Sequence, residues 1–216
     1  MFAVVTTETA GMLPRPSRAE LQRRLPRLMF GLFVFGLGLA FMVVADLGLA
    51  PWEVLHQGIS NRTGIPIGTV GIITGLIVLL AWFPIGERFG IGTLANVIFI
   101  GIVIDVSLWI FPNELDGLWL RWVAMVGGLV LVAIGSGYYI GVHLGPGPRD
   151  GLMTGLGRRT GRPIGLVRAI IEVSVLVAGW LLGGTVGAGT VAFAFGIGPL
   201  VQLFLHRLSL DVIESA

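Results

Sequence analysis

Cysteine is absent from this 216-residue chain, and so is lysine. The first absence excludes a disulfide framework, thiolate metal ligands and a cysteine nucleophile. Three histidines, His56, His143 and His206, have no H-x-x-x-H spacing among them, so a helical zinc pair is missing as well. There is no Walker-type phosphate loop, no Gly-x-Ser-x-Gly elbow, no HExxH helix and no dinucleotide fingerprint. With no nucleophile–base pair in view, the sequence is expected to be neither an enzyme nor the holder of a metal or other cofactor. ATP-driven transport by this chain alone is excluded on the same ground.

Charge is scarce too. Charged residues make up 12% of the chain, where a soluble domain carries about 25%. Hydrophobic residues make up 55%, and mean hydropathy is +0.92. Several apolar runs approach the roughly 20 residues needed to cross a bilayer. These features define a polytopic, all-α membrane protein whose first partner is the lipid bilayer. The sequence pI of 9.9 comes with a formal net charge of only +2. The arginines gather at span ends without forming a basic face, so nucleic acid is not an expected partner.

Residues 1–27 are polar, interrupted by proline and rich in arginine, and an apolar run follows over 28–45. That resembles a secretory signal. The run is long for one, however, and it has a counterpart in mid-chain where no signal can sit. It is read as a first transmembrane helix.

The counterpart belongs to a duplication. Shifting the chain by 97 residues lays 46–71 over 143–168 with 12 of 26 positions identical, where chance gives about two or three. The register continues through Arg24/Arg121, Gly31/Gly128, Gly92/Gly189 and Thr93/Thr190. Each unit holds three long apolar segments, at 28–45, 67–85 and 91–111, then 118–142, 164–182 and 186–205. Each also holds a short polar segment, 51–63 or 148–160, with proline at its start, an acid in its first turn (Glu53 or Asp150) and Thr-Gly at its end. The expected organisation is a cytoplasmic tail (1–27), a first membrane repeat (28–112), a linker (113–120), a second repeat (121–207) and a tail (208–216).

Three crossings per unit is an odd number, so the second unit enters the membrane inverted. With both termini in the cytoplasm, twelve arginines fall inside and only Arg62 and Arg121 outside, as the positive-inside rule requires. The expected fold is therefore about six transmembrane helices as two inverted three-helix repeats in a bacterial plasma membrane. Each repeat adds a short re-entrant or interfacial polar helix. Trp52, Trp82, Trp109, Trp119 and Trp122 fall near span ends, where an aromatic belt sits.

Paired, Gly/Pro-interrupted segments at matching positions point to a transport site near the midplane. The candidate binding residues are Trp52, Glu53, His56, Gln57, Asn61, Arg149, Asp150, Thr154 and Arg158. Glu53 and Asp150 either compensate a helix N-terminus or couple to protons or cations. His56, three residues after Glu53, either relays a proton or serves as a hydrogen-bonded interfacial residue. Arg158, like Arg62, either complements a helix C-terminus or clamps an anion. Asp105, Arg168 and Glu172 are candidate structural or coupling residues, with Arg168 and Glu172 spaced to pair on one helical face.

The stretches "LGLAPWEVLHQGISNRTGIPIGTVGI", "LGPGPRDGLMTGLGRRTGRPIGLVR" and "GAGTVAFAFGIGPLVQ" resemble the YczE/YitT-like bacterial integral membrane proteins, over nearly the whole chain after its first two dozen residues. The resemblance implies a multi-pass bacterial membrane protein, with links to secondary-metabolite production and to transport, and brings no site residues. The functional expectation is a secondary transporter or permease of a small molecule. Its rival is a non-transporting scaffold or accessory subunit, a possible homo-oligomer or docking platform for a cytoplasmic partner.

Overall fold

The computed structural model describes residues 17–111 and 115–210, which are helical with no strand among them. The readings that fall on 1–16, on linker positions 112–114 and on 211–216 lie outside the described residues. Eight helices follow in order: α1 Arg18–Ala45, α2 Pro51–Thr63, α3 Ile67–Ile85, α4 Ile91–Ile110, α5 Leu118–Ile140, α6 Pro148–Thr160, α7 Ile164–Leu181 and α8 Ala188–Leu208. All but α2 and α6 are long and apolar enough to cross a membrane. The short pair have 13 residues each, about 20 Å of helix, well short of the roughly 30 Å hydrocarbon layer.

Local chemistry sets the boundaries. Pro51 and Pro148 open α2 and α6, and Gly64 and Gly161 close them in the left-handed conformation at φ 74° and 66°, which costs glycine no Cβ clash. The helix α1 starts inside the stretch expected to be tail. Ser17 accepts from the Glu20 amide, and the Glu20 carboxylate accepts from the Ser17 amide, a capping box strong enough to begin a helix in polar sequence.

The centre of the bundle is α1 against α5. A Cβ built at Gly31 would lie 2.9 Å from the Gly135 carbonyl oxygen, and one at Gly38 would lie 2.6 Å from that of Gly128. Numbers rise along α1 as they fall along α5, so the two helices run antiparallel with their backbones in contact, as small residues allow in membranes. The 97-residue shift turns Gly31 into Gly128 and Gly38 into Gly135, so the shift maps this seam onto itself. Around it pack Leu28, Leu32, Leu39 and Met42 of α1, Met125 and Val132 of α5, and Ile100 and Ile104 of α4.

Other contacts come in the same reciprocal pairs. Arg24 donates to the Val142 carbonyl, and Arg121, its counterpart, donates to that of Ala45. The Gly92 amide donates to Leu144 O at 2.9 Å, and the Gly189 amide to Leu47 O at 2.7 Å. Asp46 and His143 both hold a left-handed backbone, at φ 47° and 53°. Where α3 meets α6, Trp82 fills the space left by Gly151; where α7 meets α2, the backbone of Val54 and Leu55 fills the space left by Gly179. Trp82 corresponds to Gly179 and Val54 to Gly151, so the same contact recurs with large and small partners exchanged.

Two of the five tryptophans placed in an aromatic belt belong to the interior instead. Trp82 is fully buried and donates its indole N–H to the Pro148 carbonyl at 3.1 Å, while Trp52 is 6% exposed. Trp109 and Trp119 are exposed, as a belt requires. Replacing Gly38 by leucine is expected to cost at least the 1–3 kcal/mol typical of overpacking. The same change at Gly127, where a Cβ meets nothing within 4 Å, should be near neutral. Thermal unfolding in detergent checks the pair, and equal melting temperatures would contradict the α1–α5 seam.

Candidate functional site

The first turns of α2 and α6 meet through one ion pair. Glu53 is 3% exposed. Arg149 forks onto it, with Nη2 at 2.5 Å from Oε1 and Nη1 at 3.4 Å from Oε2. A guanidinium stays protonated under all ordinary conditions, so the carboxylate facing it is ionised. The same guanidinium lies over the Trp52 ring, 5.1 Å from its centroid, a cation–π contact. Trp52 and Arg149 are counterparts in the repeat, as are Glu53 and Asp150, so the pair joins the two units where their short helices meet.

The two acids, expected to act alike, differ in their surroundings. Glu53 is buried and paired. Asp150 is exposed, with its Oδ2 and the Tyr139 hydroxyl both lying against Gly147. Desolvation by the surrounding protein is the largest influence on it and opposes its charge, ahead of the attractive fields of Arg168 and Arg149 and the repulsive field of Glu172. Arg168 and Glu172 pair along α7, Nε to Oε1 at 2.8 Å, as their spacing predicts.

His56 and Trp52, one helical turn apart on α2, are each 6% exposed. His56 Nε2 and Trp52 Nε1 have no hydrogen-bond partner. A buried polar group left unpaired costs about 1–3 kcal/mol. Two of them beside an ion pair are therefore positions where a polar ligand group gains.

The remaining candidates bond to backbone near helix ends, to their own helix or to one partner side chain. Gln57 accepts from the Thr185 amide at 2.7 Å, and Asn61 donates to Gly183 O at 2.9 Å. Arg62 donates to the carbonyls of Leu182 and Leu181, completing the C-terminus of α7. Arg158 pairs with Glu87 at 2.6 Å, and the Thr154 hydroxyl bonds back to Asp150 O. Asp105 caps α3, accepting from the amides of Gly68 and Thr69 and from the Thr69 hydroxyl. Trp52, Glu53, His56 and Arg149 thus form the centre, and Asp150, Arg168 and Glu172 lie at its edge.

Sequence reasoning missed Tyr139, Glu87 and Trp82. Only Trp82 left a signal, its exchange with Gly179 in the repeat. An apolar groove along α4, lined by Phe89, Ile91, Leu94 and Ile98 with Met29 of α1, involves none of these polar residues.

A family model for DUF6198, described as a family of unknown function, matches residues 22–206. The chain belongs to that family. An uncharacterized protein of Haemophilus influenzae is 41% identical over 182 residues, 84% of this chain and 83% of the relative. The uncharacterized membrane protein YczE of Bacillus subtilis is 30% identical over 207 residues, 92% and 93% of the two chains. The uncharacterized protein YyaS of the same organism is 25% identical over 178 residues, 81% and 89%. No solved structure matches. The family membership and the six apolar helices together make this a membrane protein.

Glu53→Gln leaves the Arg149 charge without a counterion. Breaking a fully buried pair costs about 3–5 kcal/mol. With Arg149 33% exposed, a loss of roughly 2–3 kcal/mol is expected. The double variant Glu53→Gln/Arg149→Gln should recover most of it in a detergent unfolding series. Additive losses would show that the two side chains do not interact.

Proposed function

We propose that this protein is a secondary carrier of the bacterial plasma membrane. It moves a small molecule through a central site between α2 and α6, and its two units are inserted in opposite orientations. The observation that carries this reading is the buried Glu53–Arg149 pair joining the first turns of two helices too short to span. Desolvating two charges is expensive, and well-packed apolar residues often serve a purely structural centre equally well. Intramembrane charges face protein or an aqueous cavity and mark substrate or ion paths. Helix N-termini aimed at a midplane site are a recurring feature of carriers built from inverted repeats.

Antiparallel packing of α1 on α5 and the reciprocal bonds between units support the inverted insertion. The arginine distribution supports cytoplasmic termini. Within the site, Arg149 and the unpaired nitrogens of Trp52 and His56 receive a polar group of the substrate. Glu53 balances Arg149. Asp150, which has no cation locked onto it, is the acid that exchanges a proton or a cationic group.

A second reading rests on the arginine-rich segment 144–163, where Arg158 and Arg159 are exposed on α6, which would suit an acidic cytoplasmic partner of a non-transporting scaffold. Proteoliposomes carrying an internal pH dye, challenged in turn with pools of amino acids, organic anions and organic amines, separate the two. The carrier reading expects at least one pool to move protons in the parent, with that movement lost in Asp150→Asn and Glu53→Gln. Silence with every pool, or variants as active as the parent, favours the scaffold.

A further inference from the structure

One helix pair packs differently in the two units. In the first, α3 and α4 close on each other along their length. A Cβ at Gly75 would lie 2.8 Å from the Val97 side chain, and one at Gly101 would lie 2.5 Å from the Gly68 carbonyl. Asp105 of α4 then ties down the start of α3 through three bonds. The counterparts α7 and α8 barely touch. Gly165 and Gly198, which correspond to Gly68 and Gly101, each have nothing within 4 Å of a built Cβ. Gln202 stands in the place of Asp105, and Ala194, in the place of Val97, is exposed where Val97 is 5% exposed.

The short loop 182–187 joins α7 to α8 at the end where the Gly189 amide bonds to Leu47. Two helices tethered there and apart elsewhere must diverge toward the opposite end, where α6 finishes. Glu172 occupies the place of the interfacial Gly75, and it lies on α7 with Arg168 beside exposed Asp150. Glu172, an ionisable group at a seam position, does not face a gap filled with lipid tails.

We infer that the parted α7–α8 seam is an aqueous access path to Asp150, and that a second conformation closes it by bringing Gly165 against Gly198 while α3 parts from α4. The inference rests on the inverted two-unit arrangement proposed above and adds to it which seam is open and what shuts it. The repeat supplies the precedent: in the first unit the corresponding helix pair packs along its length. Packed seams switch between discrete arrangements and do not deform continuously. Asp105, charged and triply bonded, makes the α3–α4 closure the stronger of the two, and Gln202 makes the α7–α8 closure the weaker one.

The natural absence of cysteine makes a direct test possible in the full chain in native membranes. Gly165→Cys/Gly198→Cys introduces side chains into open space, so folding is not at risk. Oxidation is expected to give an intrachain disulfide, seen as a reducible mobility shift. In separate single variants, a hydrophilic maleimide should label Ala194→Cys at once, and Val97→Cys more slowly, as the second conformation parts α3 from α4. An absent crosslink would overturn the closure. A crosslink between chains would show that a second copy fills the seam, and an unlabelled Ala194→Cys would show that the gap is dry. If the seam closes in a protein that moves no solute, the carrier reading fails and this inference stands.

Discussion

One ion pair constrains the rest of the structure. Glu53 and Arg149 sit on helices too short to span, so neither carries its charge to water along its own element. The pair is tolerable only where two short helices meet end to end with protein around them. Local capping puts them there: each short helix begins with proline and ends on a glycine that sends the chain straight into a full span. The long helices then act as a wall: α1 and α5 close the middle backbone to backbone, and α3 and α7 each hold the short helix of the other unit.

Duplication accounts for the wall more completely than for the centre. The glycine contacts, the left-handed Asp46 and His143, and the Leu47 and Leu144 carbonyl bonds recur because they are backbone requirements that any pair of copies must meet. The junction of the two short helices cannot be symmetric. Two glutamates facing each other would repel, and so would two arginines, so one copy keeps Trp52-Glu53 where the other has Arg149-Asp150. The exchange of Trp82/Gly151 for Gly179/Val54 follows the same logic in volume: the copies differ so that they fit each other. Asp150, relieved of pairing, is left beside Tyr139 and the α7 charges.

Much of this was legible in the residues. The bounds of α2, α3 and α6 follow from Pro, Gly and hydropathy, and the repeat announces which segments correspond. The Arg168–Glu172 pair follows from helical spacing. The start of α1 did not follow, because its capping box works in sequence too polar for a hydropathy reading. Nor did the pairing of Glu53 with Arg149: the alignment sets Glu53 over Asp150 and invites treating them as equals, whereas the contact between the units joins Glu53 to the counterpart of Trp52. Tyr139, Trp82 and Glu87 act through positions far away in the chain, which no local pattern encodes. Asn61, Arg62 and Asp105 place their hydrogen bonds at helix ends, a need every helix has, and a polar residue in an apolar segment does not reveal that from sequence.

The central claim is that the copies lie in opposite orientations, and the ends of α2 and α6 test it most directly. Thr63 and Thr160 are counterparts, both exposed, at those two ends. In intact cells, a membrane-impermeant maleimide should label Thr63→Cys at once and reach Thr160→Cys only after the membrane is permeabilised. Labelling of both from the same side would contradict the inverted arrangement and the site built on it.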